Sequence, residues 1–182
     1  MSRISLCAIA AAALAALSAC ATGIPEGVST VDGFDSGRYI GTWHEIARLD
    51  HSFERGLSDV SATYTAREDG GLDVVNRGYD RAKGKWRQAE GRAYFIEGRE
   101  QGRMKVSFFR PFYGAYNIIA LDKEGYAYAL VCGPNRSYLW ILARGRGLDK
   151  ATLDSLVARA HELGFDTAAL IYTAQDGSPE GK

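Results

Sequence analysis

The sequence predicts an all-β fold: an eight-stranded up-and-down antiparallel barrel with one C-terminal α-helix and a short ninth strand. Three observations carry this expectation. Eight segments rich in β-branched and aromatic residues follow one another between Trp43 and Ala143. Short turns join them, with no helical periodicity in between. A single amphipathic helix comes only after the last of them. A closed barrel suits such a meander because closure removes the exposed strand edges. An immunoglobulin-like sandwich is the competing all-β form, and its Cys…Trp…Cys hallmark is missing.

Taken in order, the first strand starts at Trp43-His44-Glu45-Ile46-Ala47. Val60 to Arg67 mixes β-branched, aromatic and small residues, and Glu68-Asp69-Gly70-Gly71 turns it into Leu72 to Tyr79. A second turn over Asp80 to Lys85 leads into Trp86 to Ile96. Met104 to Phe109, Ala115 to Leu121, Tyr126 to Cys132 and Tyr138 to Ala143 complete the set. Asp122-Lys123-Glu124-Gly125 and Gly133-Pro134-Asn135-Arg136 supply the last two turns. Asp149 then caps a helix whose Leu153, Leu156, Val157, Ala160 and Leu163 fall on one face, and Gly164 ends it. Phe165 to Thr173 reads as the ninth strand, and 175–182 as a flexible tail.

Composition narrows the function. The chain has 182 residues, 46% hydrophobic and 24% charged, with 22 basic and 22 acidic side chains. That is one ordinary globular domain. A net charge of zero argues against a nucleic-acid protein. Cys7, Cys20 and Cys132 are too few for a disulfide framework, and His44, His51 and His161 fall in no metal-ligand spacing. No cofactor is expected.

Residues 1–19 read as a signal peptide: Arg3, then an apolar, alanine-rich run from Ile4 to Ala16 that is short for a permanent bilayer span. Leu17-Ser18-Ala19-Cys20 resembles the lipobox of bacterial lipoproteins, which implies cleavage before Cys20 and its acylation. Several acyl chains anchor stably where one does not. An ordinary secretory signal cut after Ala19 is the alternative. Cleavage would leave 163 residues with 21 basic and 22 acidic side chains. Ala21, where aspartate would favour inner-membrane retention in such lipoproteins, points to the outer membrane of a Gram-negative bacterium. Residues 20–33, with Gly23, Pro25 and Gly27, read as a lipid-anchored polar tether.

Phe34-Asp35, Arg38-Tyr39 and Gly41-Thr42-Trp43-His44-Glu45-Ile46-Ala47-Arg48 together resemble the opening of a lipocalin. Tyr128-Ala129-Leu130-Val131 and Trp140-Ile141-Leu142-Ala143-Arg144 resemble two later elements of that family, in its order. Phe53-Glu54-Arg55-Gly56, Val106-Ser107-Phe108-Phe109 and Pro111-Phe112-Tyr113-Gly114 extend the match to bacterial outer-membrane lipocalins and their animal relative apolipoprotein D. The resemblance implies a lipocalin domain over 34–174. It also implies that Gly41, Trp43 and Arg144 form a structural barrel floor, with Arg144 lying over the Trp43 ring as a cation–π partner. His44 stands where the family more often has tyrosine, and Cys132 alone cannot form the disulfides of many animal members.

Strand alternation in phase with Trp43 and Trp140 then places the ligand-facing wall. Ala47, Ala62, Tyr64, Ala66, Val74, Asn76, Val106, Phe108, Tyr116, Ile118, Val131, Tyr138 and Trp140 face inward. Aromatic faces, small alanines and few polar groups suit a long apolar ligand with a polar end. A filled core of the same residues is the alternative, since an eight-stranded barrel accommodates either. Cys132 alternates outward from Val131, beneath the helix. His51, Asp50 and Glu54 fall in an open-end loop and read as solvated. Arg48, Arg55, Arg77 and Arg110 fall near the same end, as surface charge or head-group contacts. Phe112 and Tyr113 are expected to be exposed, available to a membrane or to a second subunit in a homodimer.

The favoured function is a lipid-anchored carrier that stores or transports fatty acids or lysophospholipids in the cell envelope, bound without covalent change. An enzyme on the same barrel is the alternative, but no G-x-S-x-G elbow and no inward cysteine–histidine pair appears. A tetrapyrrole carrier is the third, with Tyr64, Tyr116 or Tyr138 as its candidate ligands.

Overall fold

The computed structural model describes residues 22–177; the signal segment, Cys20 and the last five residues lie outside them. Eight strands, β1 Gly41–Arg48, β2 Leu57–Ala66, β3 Leu72–Asp80, β4 Lys85–Phe95, β5 Arg103–Phe109, β6 Phe112–Leu121, β7 Tyr128–Cys132 and β8 Leu139–Ala143, each pair antiparallel with the next. Closure comes from β1, which pairs with β8 on one side and β2 on the other.

Two apolar clusters organise the interior. One fills the barrel's closed end around Trp43, Tyr39, Met104 and Ile118. The other lies outside the wall, where helix α2, Lys150–Glu162, packs Leu156 and Ala160 onto Ile46, Ala47, Leu130 and Ile141. Asp149 caps α2, accepting from the Thr152 amide at 2.9 Å, and Gly164 leaves it at φ +81°. Cys132 is buried in the helix-side cluster, where desolvation pushes its thiol pKa up to about 12. A one-turn helix absent from the sequence reading, α1 Ser36–Tyr39, precedes β1.

Three expectations about the chain ends change. The expected ninth strand shrinks to β9 Ile171–Tyr172 on β1, because Thr167–Ala169 takes a 3₁₀ turn after the buried Phe165. The tether expected over 20–33 is a packed strap from Gly23 onward. Val28 is buried, Val31 hydrogen-bonds with Ile118 and Gly102, and the Phe34 amide donates to Glu100. Nor do residues 175–177 belong to a loose tail. Gln175 Nε2 donates to the carbonyls of Glu45 and Val60, both at 2.9 Å, and the Gly177 amide donates to Asp59. This arm closes the gap above His44↔Ser61, where the β1–β2 ladder stops.

Candidate functional site

Trp43 is fully buried; its indole donates to the Tyr39 carbonyl at 2.9 Å, and the Arg144 guanidinium lies 4.0 Å above its ring. Arg144 donates in turn to the carbonyls of Thr42, Arg38 and Tyr126, tying β1 to the segments on either side. Gly41, at φ +99°, takes a backbone conformation that side chains rarely adopt, and a Cβ there would meet Arg144 Nη1 at 3.2 Å. These three residues form the floor.

Above it the barrel is hollow. A narrow lower pocket of about 100 Å³ is lined by Ala62, Tyr64, Val74, Ala93, Tyr116 and Leu142, among others. Toward the open end lies a chamber of about 710 Å³. Phe53, Glu54, Val60, Asn76, Val106, Phe108, Ala115 and Trp140 line both. Leu57, Phe109, Phe112, Pro134 and Tyr138 surround the mouth. The volume falls in the ordinary range for small-molecule sites.

Of the thirteen residues expected to face the calyx, Ala62, Tyr64, Val74, Asn76, Val106, Phe108, Tyr116, Tyr138 and Trp140 line this space. Four do not. A β-bulge between Glu45 and Ala47 reverses the phase of β1, so Ala47 turns outward into the cluster under α2. Ala66 is exposed, because β1 ends at Gly41↔Tyr64 and β2 beyond it is paired only with β3. Ile118 and Val131 do join the interior cluster of Trp43, but in the packed plug below the pocket.

Tyr116 accepts from Tyr64 at 2.8 Å and shares a hydrogen bond with Tyr39 at 2.8 Å, so a row of three phenols joins pocket to floor. Burial raises the pKa of all three and keeps them protonated. Asn76 places a buried Oδ1 in the wall with no hydrogen-bond partner among the described residues.

One cluster runs against the sequence reading. His51 and Glu54 are not solvated but only 6% and 8% exposed, and Arg48 is buried. Arg48 donates to Glu45 Oε1 at 2.8 Å and to the Glu54 carbonyl at 3.0 Å; Thr173 Oγ1 also donates to Glu45. His51 Nε2 lies 3.0 Å from Glu54 Oε2, which also accepts from the Trp140 indole at 3.0 Å. Burial and the neighbouring Glu54 raise the Glu45 carboxyl to about pH 8 against the pull of Arg48. Burial works against ionisation of Glu54 too, but the neighbouring His51 and the bond from the Trp140 indole more than offset it and hold its pKa low. Glu45 and Glu54 both face the cavity. Alternation from Trp43 points to Glu45, whose charge keeps it off an apolar list; Glu54 lies in a loop, outside any periodicity.

The remaining basic residues stay at the surface. Arg55 pairs with Asp50 at 2.6 Å, Arg77 lies 3.9 Å over the Trp86 ring, and Arg110 donates to the Tyr94 hydroxyl. Phe112 is exposed, whereas Tyr113 is half-buried beside Lys105 and Tyr94.

Residues 34–175 match the Lipocalin-like domain family. The chain is a lipocalin. It is 53% identical over 153 residues to Outer membrane lipoprotein Blc of Vibrio cholerae, covering 84% of this lipocalin and 90% of the relative. To the Escherichia coli K12 protein of the same name it is 49% identical over 178 residues, 98% of this chain and all of the relative. Apolipoprotein D of Macaca fascicularis is 33% identical over 155 residues, covering 82% and 81% of the two chains. Among solved structures, insecticyanin of the tobacco hornworm superposes with a TM-score of 0.67 at 22% identity, over 83% of this chain and 86% of that one, which shows a shared fold.

Proposed function

We propose that this lipocalin is an acylated lipoprotein of the outer membrane that binds a single-chain lipid, a fatty acid or lysophospholipid, and holds it without chemical change. The observation that carries the reading is the chamber of about 710 Å³, closed by the Trp43–Arg144 floor, open at the other end and walled mainly by apolar side chains. The relatives named outer membrane lipoproteins align along nearly the whole chain, and the Leu17-Ser18-Ala19-Cys20 motif supplies the anchor. Among the described residues, the wall hydroxyls of Tyr64 and Tyr116 hydrogen-bond to each other, and Cys132 lies outside the barrel with a raised pKa, which supports binding without chemistry.

Burying about twelve methylenes at about 0.8 kcal/mol each contributes on the order of 10 kcal/mol. Association and ordering cost at least about 4 kcal/mol, which leaves at most about 6 kcal/mol and an affinity no tighter than tens of micromolar. Adjacent positions on β2 test the site. Ala62 lines the pocket, whereas Thr63 points outward and shares a 3.0 Å hydrogen bond with Thr42. In a fluorescent fatty-acid titration, Ala62→Trp is expected to abolish binding and Thr63→Trp to leave it intact. Equal affinities would place the lipid elsewhere. Cys20→Ala tests the anchor: mass spectrometry is expected to show the acyl mass on the wild type and none on the variant. An unacylated wild type would refute it.

A further inference from the structure

We propose that the open rim of the barrel rests on the phospholipid surface of the membrane that holds the anchor, so that the cavity opens directly onto the bilayer. This rests on the acylation of Cys20 proposed above, and on where the strap begins.

The Gly23 carbonyl accepts from Asn117 Nδ2 at 3.0 Å, and the same amide donates to the Gly133 carbonyl at 3.1 Å. Gly133 lines the mouth chamber. Arg136, in the same β7–β8 loop, donates to the Glu26 carbonyl at 2.7 Å. The strap therefore starts beside the β7–β8 loop of the open end and runs outside the wall to Phe34 at the floor, where it meets Glu100 of the β4–β5 loop. From Cys20 to Gly23 the chain reaches at most about 11 Å. Asn117 lies midway along β6, but Gly133 and Arg136 belong to the β7–β8 loop of the mouth, so the anchor leaves the barrel beside that loop.

The surface held against the membrane suits it. Phe109 and Phe112 face each other across the β5–β6 hairpin and are 81% and 76% exposed; Phe53, on the other side of the mouth, is 53% exposed. Arg87 lines the same mouth and Arg110 joins the hairpin, neither in an ion pair among the described residues. Exposed aromatic rings beside guanidiniums outside ion pairs match an interface of acyl chains and anionic phosphates. A lipid leaving the bilayer would then enter the cavity without crossing water.

The test uses the full acylated chain reconstituted into phosphatidylethanolamine–phosphatidylglycerol vesicles whose acyl chains carry bromine, a contact quencher of tryptophan. Phe112→Trp and, independently, Phe109→Trp place an indole on the rim. Ile96→Trp places one at the closed end, where Ile96 is partly exposed just after β4. Against the wild-type background, the two rim variants are expected to lose most of their added emission and Ile96→Trp to keep it. Vesicle-bound protein with unquenched rim tryptophans, or with Ile96→Trp quenched equally, would overturn the orientation. So would rim tryptophans that are unquenched while the protein cross-links in pairs, which would assign the rim to a second copy of the chain. Protein that fails to float with the vesicles would instead refute the anchor, and the orientation with it.

Discussion

Arg144→Ala removes a cation 4.0 Å from the Trp43 ring together with three hydrogen bonds to the carbonyls of Thr42, Arg38 and Tyr126. The cation–π contact contributes about 0.5–2 kcal/mol. A hydrogen bond from a charged donor contributes about 1.5–3 kcal/mol at full value, and less where solvent competes. Two of these three bonds are solvent-exposed, so the set adds on the order of 2 kcal/mol. A total of about 3 kcal/mol lowers the Tm of a domain this size by about 6–12 °C. Arg144→Lys keeps a charge over the ring but cannot span three carbonyls, so an intermediate Tm is expected. Neither Trp43 nor Arg144 lines the cavity, so fatty-acid affinity of the folded variants is expected to stay within about twofold of wild type, under 0.5 kcal/mol. The assay pairs calorimetric melting with lipid titration. Wild-type stability with lost binding would show that the residues serve the ligand and not the floor.

Two further perturbations probe the seam between β1, β2 and the C-terminal arm. Because the folded Glu45 carboxyl titrates near pH 8 against 4.5 for the free group, its contribution is complete below about pH 4.5 and is lost as pH rises toward 8. Glu45→Gln is therefore expected to lose less stability than wild type between pH 5 and 8; parallel Tm–pH curves would refute the raised pKa. Gln175→Ala leaves the Glu45 and Val60 carbonyls without their 2.9 Å donors, which is expected to cost about 1–3 kcal/mol and to lower the Tm by several degrees. An unchanged Tm would show that the arm does not brace the seam.

The eight strands, their turns, the helix with its Asp149 cap and the Trp43–Arg144 pair were all legible in the sequence, because each follows from local periodicity, turn chemistry or family motif. Nine of thirteen wall residues followed from alternation alone. Alternation fails wherever register shifts: the bulge after Glu45 sends Ala47 outward, and the offset ends of β1 and β2 leave Ala66 uncovered. The depth of the plug, which takes Ile118 and Val131 out of the cavity, depends on how side chains from several strands fill one volume. Tertiary structure alone buried Glu45, Arg48, His51 and Glu54 together, since a charged residue enters a core only where partners distant in sequence, here Thr173 and Trp140, satisfy it. It also converted a polar-looking tether into a strap beginning at the barrel mouth, because the Asn117 side chain that holds Gly23 lies 94 residues away along the chain.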